Sequence, residues 1–260
     1  MSLAISSTVT LIFVAICFTV FLFFMRMILY PLKNTGQTRL AWSIAVAMVA
    51  WLIIQSLLAT SGFYLASFDL PPRALLILGP PALILVIIFT VYNHTPYFKK
   101  LSLKSLTHIH IFRLPLEVFV LSSLAVAGHI PDVMTYYGRN FDVLVGISAP
   151  LIAYLYFNRK IISWKSMLAW NVISLFFLVN VTTHAVLSLP YPWQQDFSAG
   201  QPNIAVFHFP YIWLPVLLVQ VAYFCHFASI VKLLRYRDQR EDHNESKTSA
   251  SFVTPPNPTP

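Results

Sequence analysis

Two ionisable side chains stand close together in an apolar setting, Arg113 and Glu117 in the run RLPLE, with Pro115 between them. Four residues apart on a helix, they share one face about one turn from each other. If that helix starts at Ile109, a rise of about 1.5 Å per residue puts Arg113 roughly 6 Å and Glu117 roughly 12 Å into a bilayer. Arg113 can extend its stem to the interface from there, whereas the Glu117 carboxylate needs a partner or a proton. Two readings follow: an intrahelical ion pair with Arg113 that locks the helices together, and a proton-linked or substrate-contacting carboxylate.

A second polar group follows in the segment HIPDVMTYYGRNFD, which holds His129, Asp132, Arg139, Asn140 and Asp142. Part of it reads as structure, since Gly138 suits a tight turn, Asn140 or Asp142 can cap the next helix, and Tyr136 and Tyr137 suit a headgroup level. Further along, Asn180, His184 and Ser188 recur every four residues and make one polar stripe on an apolar helix. His208 sits at the mouth of the last apolar run. Together these residues suggest a polar vestibule between the last four helices. Arg139 and His208 would hold a polar or anionic ligand, Asp132 and Asp142 would orient them, and Asn180 and His184 would line the floor above Glu117 and Arg113. His129, His184 and His208 also raise haem or metal ligation, but no helix carries a paired-histidine spacing, so no cofactor is expected.

The elements that must position these groups are membrane helices. With 57% hydrophobic and 10% charged residues among 260, and a mean hydropathy of +0.69, the chain has too little polar surface for a water-soluble globule of its size. Apolar runs near the roughly 20 residues needed to cross a bilayer recur along it, without the short alternating segments of a β-barrel. The expected fold is all-α, a polytopic bundle of seven transmembrane helices near 8–25, 40–58, 74–92, 109–128, 142–157, 167–189 and 210–233. Gly79-Pro80-Pro81 in the third should kink or break it and leave carbonyls in need of partners. Cys17 and Cys225 both fall in apolar runs and read as small buried hydrophobes.

The net charge of +8 is explained by topology rather than by nucleic acid. In the seven-helix layout fourteen Lys and Arg fall on one side and only Arg73 and Arg139 on the other, with Arg113 inside a helix. That asymmetry puts the N-terminus outside and the C-terminus in the cytoplasm. Residues 1–237 then form the transmembrane domain, and 238–260, charged and then rich in Ser, Thr and Pro, a disordered cytoplasmic tail. No loop is long enough for a separate soluble domain. A retinal protein is excluded, because the one Lys of the last helix, Lys232, lies at its end, and no zinc-hydrolase motif of the His-Glu-x-x-His type occurs.

Four runs carry a resemblance: Arg113 to Glu117 (RLPLE), Met134 to Asp142 (MTYYGRNFD), Gly146 to Pro150 (GISAP) and His208 to Pro215 (HFPYIWLP). They are similar to a pattern in a group of uncharacterised bacterial multi-pass, seven-helix inner-membrane proteins of unknown function. The resemblance implies a bacterial inner membrane with the polar loops in the periplasm, and it brings no activity with it. The functional expectation is small-molecule binding or transport through an outward-facing polar site. Its rivals are a membrane-embedded enzyme or redox subunit working on haem or quinone, and an accessory subunit without a site, held in a homo-oligomer or a larger membrane complex.

Overall fold

Three helices open on a serine whose hydroxyl accepts a first-turn backbone N–H: Ser6 from Thr8 (3.3 Å), Ser102 from Ser105 (3.2 Å) and Ser163 from Ser166 (3.3 Å). Each satisfies one of the donors a helix start leaves open. The structure, a computed structural model, describes residues 3, 5–92, 94–195 and 201–235. The tail expected at 238–260 lies outside the described residues. Seven long helical segments follow one another: α1 (Ser7–Lys33), α2 (Thr38–Thr60), α3 (Leu75–Val91), α4 (Leu103–Val126), α5 (142–159), α6 (Trp164–Leu187) and α7 (Leu214–Arg235). A short helix, Pro96–Lys100, precedes α4. No strand occurs among the described residues.

Five of these helices, α1, α2, α4, α6 and α7, are long and apolar enough to cross a membrane. The other two are shorter. α3 has 17 residues, and α5 is a 12-residue α-helix prolonged by a six-residue π-helical turn. The side chains are distributed as a bilayer demands. Leu, Ile, Val and Phe lie exposed along α2, α3 and α6, while Gln55, His110, Arg113, Glu117, Asn171 and His226 are buried. The molecule is an all-helical membrane protein.

α4 and α7 form its axis. Over half of each membrane window is buried, 56% in both, against 11% in α2. α7 packs on α1, α2, α3, α4 and α6, and α4 on α1, α5 and α7. Helix α4 begins at Leu103, a turn and a half before the expected start at Ile109, because the Ser102 cap draws Lys104, Ser105 and His108 into the helix. At about 1.5 Å per residue Arg113 therefore stands about 15 Å and Glu117 about 21 Å along α4, near its middle. Neither reaches an interface easily from that depth.

Prolines shape the helices without breaking them. Pro80 and Pro81 sit inside a continuous α3, so of the expected kink or break the break does not occur. Pro80 has no N–H for the Leu76 carbonyl one turn back, and the buried Gln55 side chain of α2 takes that place, donating to Leu76 O at 3.2 Å. Gln55 Oε1 in turn accepts from the buried Tyr64 hydroxyl at 2.5 Å. In α4, Pro115 is followed by a π-helical turn at Leu116–Leu121, and in α7 Pro215 lies inside another at Leu214–Leu218. Gln220 Nε2 donates to the Pro215 carbonyl at 3.1 Å there.

Candidate ligand-binding site

The site is built where α4 meets the start of α5. Gly146 makes that approach possible, since a Cβ on it would lie 2.5 Å from Leu114 N and 3.0 Å from Leu114 Cα. Close backbone contact of this kind is what small residues allow between membrane helices. It brings Asp142, at the first turn of α5, to Arg113, whose Nη1 donates to Asp142 Oδ1 at 3.0 Å. Arg113 is 1% exposed. The intrahelical pair between Arg113 and Glu117 is thus replaced by an interhelical one, with Asp142 on the guanidinium and Glu117 held by Asn140.

Asn140 is the adaptor. Its Nδ2 donates to Glu117 Oε2 at 2.7 Å and to the Met134 carbonyl at 2.9 Å, and its Oδ1 accepts the backbone N–H of Asp142 at 2.9 Å. One buried amide therefore fixes the start of α5 and orients the Glu117 carboxylate in the π-helical turn of α4. Gly138 holds this loop tight, since a Cβ there would lie 2.1 Å from the Asp132 carbonyl oxygen.

On its other side Arg113 reaches α7. Nη2 meets His226 Nε2 at 3.3 Å, and His226 Nδ1 meets Asn171 Oδ1 of α6 at 3.1 Å. A guanidinium only donates, so Nε2 accepts and the ring proton sits on Nδ1, where the amide oxygen takes it. Asn171 Nδ2 completes the chain on the Met167 carbonyl at 2.9 Å. His110 lies flat on His226, ring centroids 4.0 Å apart at 12°, with both its ring nitrogens and Arg113 Nε buried and without hydrogen-bond partners among the described residues. A polar chain thus runs from Glu117 through Asn140, Asp142, Arg113 and His226 to Asn171.

A cleft between α3, α4, α6 and α7 ends on this chain. Its walls are apolar, formed by Ile77 and Leu78 of α3, Leu116 of α4, Leu178 and Val181 of α6 and Leu218 of α7, and Arg113, Glu117 and Asp142 supply the charge at its floor. Ala74, Val186, Leu189, Asn203 and Phe207 line the part nearest the end of the bundle poor in Lys and Arg.

The structure brings together four of the expected site residues, Arg113, Glu117, Asn140 and Asp142. The other six are placed elsewhere. Asn180 donates to the Arg139 carbonyl at 2.6 Å and ties α6 to the loop before α5. His184 Nδ1 lies 2.8 Å from the Asn180 carbonyl. Asp132 receives the Tyr137 hydroxyl at 3.5 Å. His129 accepts the N–H groups of Ile204 and Ala205 through its carbonyl, both at 3.1 Å, while its Nε2 is buried without a partner among the described residues. His208 Nδ1 donates to the Ile204 carbonyl at 3.0 Å, and burial pushes its ring below the ordinary histidine range.

His110, Asn171 and His226 belong to this chain although the sequence does not single them out. The signal was present as single polar residues deep in apolar helices, and as the three-residue step from His110 to Arg113. Starting α4 at Ile109 hid it by assigning His110 to the interface.

The fold and this buried polar floor define an all-helical membrane protein with an apolar cleft that ends on charged groups. Residues 70–234 match a family described as a domain of unknown function (DUF8737), and the chain belongs to that family. The match runs from just before α3 to the end of α7 and contains every residue of the cleft and of the polar chain. No curated protein matches the chain, and no solved structure does.

Proposed function

We propose that the chain is a seven-span protein of a bacterial inner membrane, with its N-terminus outside, that binds a small molecule in the cleft and carries or senses it there. The observation that carries this reading is the joining of two unlike surfaces: apolar walls from α3, α4, α6 and α7, and a floor of Arg113, Glu117 and Asp142. Such a shape suits a ligand with an apolar body and one polar end, which is the usual balance of a small-molecule site. Glu117 is the group we assign to the polar end, because Asp142 already occupies Arg113. α3 and 142–159 supply the two further spans, which place fourteen Lys and Arg on one side of the membrane.

The test is a thermal-shift screen of the detergent-purified full chain against a panel of metabolites and amphiphiles. A stabilising ligand is expected, with its shift abolished in Glu117→Gln and in Val181→Trp, which fills the cleft. Shifts unchanged in both variants would remove the cleft as the site. An oxidised-minus-reduced visible spectrum of the same sample addresses the redox reading, in which a haem band would make His129, His184 and His208 the ligands to replace first.

A further inference from the structure

The cleft floor is short of one positive charge. Its ionisable groups are two carboxyl groups, Glu117 and Asp142, and one guanidinium, Arg113. The guanidinium is committed to Asp142 at 3.0 Å. His226 adds no charge, since its Nε2 accepts from Arg113 and its only proton goes to Asn171. His110, stacked at 4.0 Å on that ring, has no acceptor among the described residues for a proton on either nitrogen. Of the groups around Glu117, the loop before α5 offers only the neutral Asn140 and α5 offers Asp142. α6 brings Thr182 to the cleft, and Tyr223 of α7 lies within the influence of Asp142 and Arg113. No second cation faces Glu117 among the described residues.

In a low-dielectric interior a lone carboxylate is costly, and it is relieved either by a proton or by a cation. We propose that the cleft takes monovalent lipophilic cations, with Glu117 as their counter-ion, and that each cation bound displaces the proton that Glu117 carries when the cleft is empty. The balance is one cation in and one proton out: the neutral carboxyl group becomes a carboxylate, the cation neutralises it, and the proton leaves through the open mouth. An anionic ligand would instead bring a negative charge with no free cation to meet it, since Asp142 already holds Arg113. A cation with an apolar body loses little hydration on entry and gains contact with Leu178, Val181, Leu116 and Leu218. The proposal rests on the cleft being the binding site, and it adds the charge of the ligand and the exchange.

The experiment is calorimetric titration of tetraphenylphosphonium into the full chain, in two buffers of different ionisation enthalpy, from pH 6 to 8.5. Triphenylphosphine oxide, a neutral molecule of similar body, serves as comparison. The expected result is release of about one proton per cation and affinity rising about tenfold per pH unit over the range where Glu117 holds its proton. Both should be lost in Glu117→Gln, whereas Glu117→Asp keeps proton release at weaker affinity and shows that the fold tolerates change there. Cation binding independent of pH and of Glu117, or binding of the neutral oxide alone, overturns the exchange while leaving the cleft as a site. Binding of neither probe overturns the exchange, and an empty thermal-shift screen would then remove the cleft as well.

Discussion

Asp142 decides what its neighbours can do, because it holds the buried Arg113 guanidinium at 3.0 Å while Asn140 holds Glu117 apart from it. Its own removal should therefore be severe. Asp142→Asn leaves Arg113 buried with its charge unmatched, and breaking a buried pair from one side costs about 3–5 kcal/mol. Replacing both partners by apolar residues of similar size, Arg113→Met with Asp142→Leu, is expected to recover most of that loss, since such replacements are often neutral. Denaturant unfolding of the two single variants and the double variant in one detergent measures this, and a single Asp142→Asn as stable as the parent would show that the pair contributes nothing. The sequence pointed to Arg113, Glu117, Asn140 and Asp142 because charge inside an apolar run is conspicuous. It did not reveal who pairs with whom. A four-residue spacing places two side chains on one face, and it is silent on which neighbouring helix brings a closer partner.

At the scale of the element, the missing information lay in Gly146. A glycine in an apolar helix reads as one small residue among many, yet here its hydrogen is all that separates α5 from the backbone of α4. Gly146→Ala must push the helices apart, because Leu114 N would lie 2.5 Å from the new Cβ and backbone does not yield as a side-chain tip does. We expect a loss of about 1–3 kcal/mol, as in other overpacked contacts. Weaker ligand binding should follow, as Asp142 and Asn140 move with α5. Parallel unfolding and thermal-shift measurements on Gly146→Ala check it, and full stability with full binding would disprove the close contact. That the prolines do not break α3 has a related reason. Sequence shows that Pro80 frees a carbonyl, but only the fold shows that Gln55 of another helix is there to satisfy it. A π-helical turn cannot be read from periodicity either, since it alters the register for a few residues and then returns it. The turn at Leu116–Leu121 nonetheless carries Glu117, and the one at Leu214–Leu218 lines the opposite wall of the cleft.

For the whole molecule, the helical class and most helix positions were legible because hydropathy and length are set by the bilayer itself. The number of crossings was less so, as α3 and α5 fall at the short end of what a membrane requires. The two arrangements differ in a way that labelling resolves. If all seven helices cross, Lys100 lies in the cytoplasm and Tyr137 outside. If α3 and α5 do not cross, the two positions exchange sides, while Asn34 stays inside, Asp69 stays outside and the C-terminal side is unchanged. The seven-crossing layout keeps Lys99, Lys100 and Lys104 with the other cytoplasmic basic residues, and the five-crossing layout strands them outside. Single cysteines at Asn34, Asp69, Lys100 and Tyr137, all exposed, can be probed with a membrane-impermeant maleimide in spheroplasts before and after permeabilisation. The native Cys17 and Cys225 are 1% and 0% exposed inside the bundle and give a silent background. Immediate labelling of Asp69→Cys and Tyr137→Cys, with Asn34→Cys and Lys100→Cys reacting only after permeabilisation, is the expected pattern. Early labelling at Lys100→Cys with protection at Tyr137→Cys would establish five crossings, and it would turn the loop that carries Asn140 toward the cytoplasm.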